Sequence, residues 1–281
     1  MRVAICFYGQ IRTGAVKAAS NILRYIGDLR PQCDIFVHTW DIETFGTNYS
    51  LRVAGGPDPV DPSWHTPRQN SNTNFAEFFS AFSPRVMEVE EYNLQETMNT
   101  WGGRRMDPVT NMWNVSMWRS IKESNKFKMD YAAKNKIEYD YTVIIRSDLV
   151  FGPDKRLADD IAQIKHDNMF LFGDHMNVWP TYGRHRVEEV IWIGPTKVID
   201  QIAKFSDYYI STVSNINDPD DPGYRDWQFY AANWVVNTLG LQFYPIEDST
   251  MRVFTQLDID NGLDPMDPGF GNPPSRFDYK R

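Results

Sequence analysis

Asp140-Tyr141-Thr142-Val143-Ile144-Ile145-Arg146-Ser147-Asp148-Leu149-Val150-Phe151 is the stretch on which the fold turns. Its apolar run from Tyr141 to Ile145 is β-branched and aromatic, too short for a helix and too apolar for an exposed edge. It therefore predicts a central strand covered on both faces. An arginine, a small residue and an acid follow at the carboxyl end, where open α/β sheets bind their ligands. These three residues have two readings: a salt-bridged strand end, or a functional site centred on Asp148.

Upstream of it, the chain opens with the strand Val3 to Tyr8 and the turn Gly9-Gln10-Ile11-Arg12. A helix follows in which Ala15, Ala18, Ala19, Ile22, Leu23 and Ile26 recur at three and four, with Thr13 as its cap and Gly27 as its terminator. A strand feeding a short glycine turn and a helix amino terminus offers backbone N–H groups to an anion, and Arg12 stands beside them. The next strand, Ile35 to Trp40, predicts a parallel pair with a right-handed crossover. From Glu43 to about Asn74 the pattern dissolves into Gly, Pro, Asn, Asp and Ser, a disordered insertion or a loop over a site. Order returns with a short helix at Phe75 to Phe82, a strand at Arg85 to Val89, and a long helix over roughly Val109 to Lys134. On that helix Trp113, Met117 and Ile121 share a face, continued by Met129, Ala132 and Ala133, and the helical period makes Trp113 and Trp118 core residues.

Beyond Phe151 the pattern predicts a short helix at Leu157 to Ile164 and a strand at Met169 to Phe172. A strand within Val187 to Gly194 and a helix opened by Pro195 follow. A further helix runs from Tyr224 to about Leu239, and a last strand from Leu241 to Ile246. The residues from Asp258 onward are rich in Pro, Gly and Asp and predict an extended or disordered tail. Alternating strands and helices make the class α/β, a mostly parallel, Rossmann-like sheet flanked by helices in one unit.

Composition narrows the partners. The 281 residues are 42% hydrophobic and 23% charged, an ordinary globular balance. A net charge of -8 gives no basic footprint for nucleic acid. Cys6 and Cys33 lie in or beside apolar runs and read as buried thiols of a reducing compartment. With no signal peptide and no apolar run long enough to span a bilayer, a cytoplasmic location is expected.

The opening Ile5-Cys6-Phe7-Tyr8-Gly9-Gln10-Ile11-Arg12, the strand Asp34 to Asp41, the stretch Ile144 to Phe151 and the block Glu189-Val190-Ile191-Trp192-Ile193-Gly194 resemble small GT-A glycosyltransferases of bacterial polysaccharide loci and large algal viruses. In length and pattern the chain is most similar to the chlorovirus members that transfer xylose in N-glycan synthesis. The resemblance covers residues 1–255 and implies a GT-A fold with a nucleotide-binding half over 1–151 and an acceptor-binding half over 152–255, leaving 256–281 as the tail. It implies a UDP-sugar donor, with xylose the best match, an oligosaccharide or glycoprotein glycan acceptor, and Mn²⁺ or Mg²⁺ bridging the diphosphate. Carried over residue by residue, Gly9, Gln10, Arg12, Arg146, Ser147 and Asp148 bind the nucleotide sugar, and Asp148 binds the metal.

The chain departs from the family's Asp-x-Asp because Arg146 occupies the first acidic position. One carboxylate remains, so metal binding is weak, metal arrives with the nucleotide, or Arg146 partly replaces it electrostatically; Arg146 itself either contacts the nucleotide or holds Asp148. An inverting transfer also requires a carboxylate on the acceptor side. Asp226, at the start of its helix, is favoured over Glu189, and each has an ordinary alternative as a helix cap or a salt-bridged strand end. Trp179, Tyr182 and His185 are candidate acceptor contacts; Trp179, Tyr182, Trp192 and Trp227 could each stack on sugars or fill the core, and His175 and His185 either reach the diphosphate or metal or are simply exposed. Competing activities are a glycoside hydrolase, which needs two facing carboxylates, and a carbohydrate-binding module without catalysis.

Overall fold

The computed structural model describes residues 1–44, 68–93, 108–173, 191–205, 207–208, 231, 234–246, 251–253, 259–260 and 262–266. In chain order the elements are β1 (Val3–Tyr8), α1 (Thr13–Ile26), β2 (Cys33–Trp40), β3 (Ile42–Thr44), β4 (Arg68–Gln69), α2 (Asn72–Phe82), β5 (Val86–Glu90) and α3 (Pro108–Asn135). They continue with β6 (Tyr141–Arg146), β7 (Leu149–Phe151), α4 (Leu157–Ala162), β8 (Met169–Phe172), β9 (Ile191–Pro195), α5 (Thr196–Ile202), β10 (Gln242–Pro245) and β11 (Met251–Val253).

Seven strands form the main sheet in the order β10-β8-β9-β6-β1-β2-β5, which puts β6 at its centre. Only β9 runs against its neighbours; the remaining pairs are parallel. The class read from the sequence, an α/β unit with a mostly parallel sheet, is the one observed. Every residue of β1 is buried, and the strand's period of two divides its side chains between two cores. Val3, Ile5 and Phe7 pack with α1 and α2 on one face, while Ala4, Cys6 and Tyr8 meet Trp118 and Ile121 of α3 on the other. Both thiols are free and buried, and burial, the largest influence on each, raises the Cys6 pKa to about 12 and that of Cys33 to about 11.

Several details differ from the sequence expectations. Arg12, not Thr13, is the residue before α1, and its extended backbone places its carbonyl to accept from Ala15 N–H at 2.9 Å. Gly27 ends the helix as expected, at φ 54° with its N–H on Leu23 O. On α3, Met129 is exposed and so is Ala133, because the buried face there carries Ser116, Ser120, Ser124, Asn125 and Lys128 instead of an unbroken apolar stripe. Two short antiparallel strands, β3 and β4, close the base of the Gly/Pro/Asn segment, and α2 begins three residues before Phe75. Part of the tail is docked: Pro265 is buried and its carbonyl accepts from Asn21 Nδ2 at 2.7 Å, with Ile259 against the α1 core.

Gly194 shows why the β9 block ends in glycine. A Cβ there would lie 2.8 Å from Phe170 Cβ on β8, closer than side chains approach, so the two strands could not hold their spacing with any larger residue.

Candidate functional site

The order of the sheet identifies the crevice. From β1 the chain goes outward to β2 and β5, then returns to β6 on the other side of β1, so the path reverses between β1 and β6. Ligands of open α/β sheets bind outside the strand carboxyl ends at such a reversal. Tyr8, the last residue of β1, sits in register with Arg146, the last of β6. The Gly9 turn and the Arg146-Ser147-Asp148 triplet therefore emerge side by side.

Ser147 joins them. Its hydroxyl, 2% exposed, donates to Gln10 O at 2.9 Å, tying one strand end to the other. Gly9 turns the chain at φ 93°, a left-handed region where a side chain would be strained even though a Cβ there would meet no atom within 4 Å. Its N–H does not point at an open anion site: it donates to Ser120 Oγ of α3 at 2.9 Å. Ile11 N–H donates to Thr39 Oγ1 at 3.1 Å and Arg12 N–H to Gln10 O at 3.2 Å. The expectation of free turn amides fails at these three positions because other groups of the fold satisfy them. Side chains carry the polarity instead. Gln10 is buried, its Oε1 accepts from Arg12 Nε at 2.9 Å and again from Arg12 Nη2, and its Nε2 is buried without a hydrogen-bond partner. Since Arg12 can only donate, the orientation of that amide is fixed, and the unpartnered group is a donor.

Arg146 grips Asp148 with both arms, Nε to Oδ1 at 2.9 Å and Nη2 to Oδ2 at 3.0 Å. Of the two readings left by the sequence, the salt-bridged strand end is the contact observed, and Arg146 holds Asp148. The carboxylate is 7% exposed and the guanidinium 28%, so the arginine is the more open partner. Burial acts to raise the Asp148 pKa, but the charge and hydrogen bonds of Arg146, the charge of Arg12 and a bond from its own backbone amide together hold it below the usual carboxylate range.

Behind the turn lies a relay that the sequence did not reveal. Ser120 Oγ also donates to His38 O at 3.0 Å and stands 3.0 Å from His38 Nδ1, while His38 Nε2 lies 2.9 Å from Glu90 Oε2 at the end of β5. Arg119 pairs with the other oxygen of Glu90 and lies over the Trp40 ring. Asn70 reaches back to Ile11 O through Nδ2, anchoring the base of the β3–β4 segment beside the turn. The signal that could have exposed Ser120 was the spacing of Ser116, Ser120 and Ser124, three hydroxyls four apart on one face of the helix.

Gly9, Gln10, Arg12, Arg146, Ser147 and Asp148 are thus brought together. Trp192, a candidate sugar platform, is fully buried with its ring 5.4 Å from Trp118 and belongs to the core. Glu189, Asp226, His175, Trp179, Tyr182, His185 and Trp227 lie outside the described residues.

For a hard dication the described residues are a poor donor set. Mn²⁺ or Mg²⁺ takes about six oxygen ligands, and no group of three or more His, Cys, Asp or Glu that could hold a metal occurs among the described residues. Asp148 has both oxygens in an arginine fork and a second guanidinium nearby.

No protein-family model and no curated protein matches the chain. Among solved structures it is similar to a glycosyltransferase involved in the glycosylation of the major capsid of PBCV-1, at 7% identity over 87% of this chain and 81% of that one, with a TM-score of 0.34. It is also similar to the galactosyltransferase LgtC in complex with donor and acceptor sugar analogs, at 10% identity over 86% and 73% of the two chains, with a TM-score of 0.39. Likeness of that degree assigns no activity. In no described helix is there a stretch long and apolar enough to cross a membrane.

Proposed function

We propose that the chain is a glycosyltransferase that moves a sugar, xylose being the best match, from a UDP-sugar to a hydroxyl of an oligosaccharide or glycoprotein glycan with inversion. The observation that carries this reading is the bond from Ser147 to Gln10 O, which sets Arg12 and Arg146 around a single buried carboxylate at the sheet's reversal point. A diphosphate is the ligand that two neighbouring guanidiniums and a spare amide donor suit best. The resemblance of the Gly9 turn and the Arg146 triplet to GT-A enzymes supports the same reading.

In the reaction, the acceptor oxygen attacks the anomeric carbon from the face opposite the diphosphate. The bond between that carbon and the diphosphate oxygen breaks as the new glycosidic bond forms. UDP leaves with the electron pair of the broken bond, and the acceptor's proton passes to a carboxylate, Asp226 by preference or Glu189. Arg12 and Arg146 stabilise the charge gathering on the leaving group. Trp179, Tyr182 and His185 would hold the acceptor.

The test is to incubate the protein with UDP-xylose, UDP-glucose, UDP-galactose and GDP-mannose, each with and without a panel of glycan acceptors, and with the glycans alone, and to measure nucleotide release, glycan cleavage and glycan binding. Release from one UDP-sugar, accelerated by a particular acceptor, is expected. A protein that splits glycans without a nucleotide sugar would be a hydrolase, and one that binds glycans but releases no nucleotide would be a binding module; either result overturns the proposal.

A further inference from the structure

Resting on the reading above, we infer that this site binds its diphosphate without a divalent metal, the Arg146–Asp148 fork and Arg12 supplying the positive charge that a bridging ion would otherwise bring. Three observations converge on this. First, the acid that would coordinate the ion has each oxygen engaged by an arginine at 2.9 and 3.0 Å, and a dication approaching it would meet the guanidinium, which is the more exposed member of the pair. Second, the electrostatic surroundings of Asp148 include Arg12 as well as Arg146, so the two guanidiniums outnumber the one carboxylate, and the net positive charge opposes a bare cation and favours an anion. Third, Gln10 keeps a buried donor, Nε2, without a partner beside Arg12, and a donor left unpaired in a buried place is satisfied by an acceptor such as a phosphate oxygen and not by a metal.

In this arrangement Asp148 is a positioning residue. Its carboxylate fixes the plane of the Arg146 guanidinium, so that the far edge of that group faces away from the carboxylate. A planar fork held in this way is pre-organised for phosphate oxygens, whereas a metal bridge would need Asp148 released from it.

The experiment is calorimetric titration of the full chain with UDP and with uridine, in EDTA, in Mg²⁺ and in Mn²⁺. It is paired with electron paramagnetic resonance of Mn²⁺, in which bound ion is lost from the free-ion signal. UDP affinity is expected to agree within about twofold across the three buffers, with no Mn²⁺ bound at a stoichiometric site. The Arg146→Gln variant should bind UDP at least about tenfold more weakly in every buffer, with its uridine affinity unchanged. The Asp148→Asn variant keeps the shape of the side chain and separates the roles further. As a positioning residue its replacement shifts UDP affinity by the same factor in EDTA and in Mn²⁺; as a metal ligand its replacement would act in Mn²⁺ alone. Tightening of UDP binding by about tenfold or more on adding Mn²⁺, abolished in Asp148→Asn, would overturn the inference and leave the transferase reading standing. Failure of UDP to bind in any buffer would overturn both.

Discussion

Two buried aspartates, at opposite ends of the strands that flank β1, are both held by arginine, and they teach different lessons. Asp34 lies near the start of β2, 3% exposed, and receives Arg2 through Nε and Nη2 at 3.2 and 2.8 Å, Arg85 through Nε at 2.6 Å and the Tyr139 hydroxyl at 2.9 Å. Asp148 lies past the end of β6 and has one arginine for both oxygens, with an unsatisfied glutamine donor in the adjoining turn. Burial acts to raise the pKa of each, and the partners together bring it down: hydrogen bonds from Arg85, Arg2 and Tyr139 and the Arg2 charge at Asp34, and the charge and bonds of Arg146, the Arg12 charge and a backbone amide at Asp148. The first carboxylate is surrounded by partners from three separate parts of the chain and acts as a clasp. The second is gripped by a residue two positions away, and Gln10 beside it retains a donor for a ligand.

Asp34→Ala gives the sharpest test of this contrast. It should cost about 3 kcal/mol of stability in urea unfolding, the low end for breaking a buried pair, because Arg2 and Arg85, 44% and 54% exposed, can rehydrate. UDP affinity should stay within about twofold of the parent. A parallel loss of affinity would show that the two ends of the sheet are coupled and that the contrast is false.

A smaller effect is expected from Ser120→Ala. Removing the hydroxyl leaves Gly9 N–H and one side of His38 without their partner, a loss of about 1–2 kcal/mol. Because that hydroxyl sets the turn, UDP affinity should also fall several-fold while acceptor affinity does not. Equal loss for both ligands would make Ser120 a purely structural residue.

The least pronounced effect concerns pH. Both aspartates have folded pKa values below their unfolded value of about 3.9, so the stability they contribute is fully present above that value and is lost as pH falls through the folded values. The urea midpoint should hold steady down to about pH 5 and decline below about pH 4. Asp34→Asn should reduce that decline, and an unchanged acid limb would remove Asp34 as its source.

The elements themselves were readable because their signals are local. The run Tyr141 to Ile145 is a strand by its own composition, and the six buried residues of β1 alternate between two cores as strand geometry requires. That Gly9, Gln10, Arg12, Arg146, Ser147 and Asp148 belong to one place was also legible, since strand carboxyl ends can be recognised once the strands are. Where local reading failed, a distant residue had intervened. Thr39 and Ser120 took amides of the turn that looked free in the sequence, Asn21 captured the tail through Pro265, and on α3 the expected apolar face holds at Met117, Ile121 and Ala132 but shares its burial with Ser120, Ser124 and Lys128, leaving Met129 and Ala133 exposed.

An α/β chain with a central strand running into Arg146-Ser147-Asp148 is therefore written in the residues alone, because hydrophobic period and chain punctuation act over a few positions. The assembled sheet was needed to make β1 and β6 neighbours at its reversal and to bring Ser147 to Gln10 across them. It was needed as well to turn Arg146 back on Asp148 instead of outward. Those outcomes depend on which strand lies beside which, and on the bonds that buried polar groups must find once water is excluded.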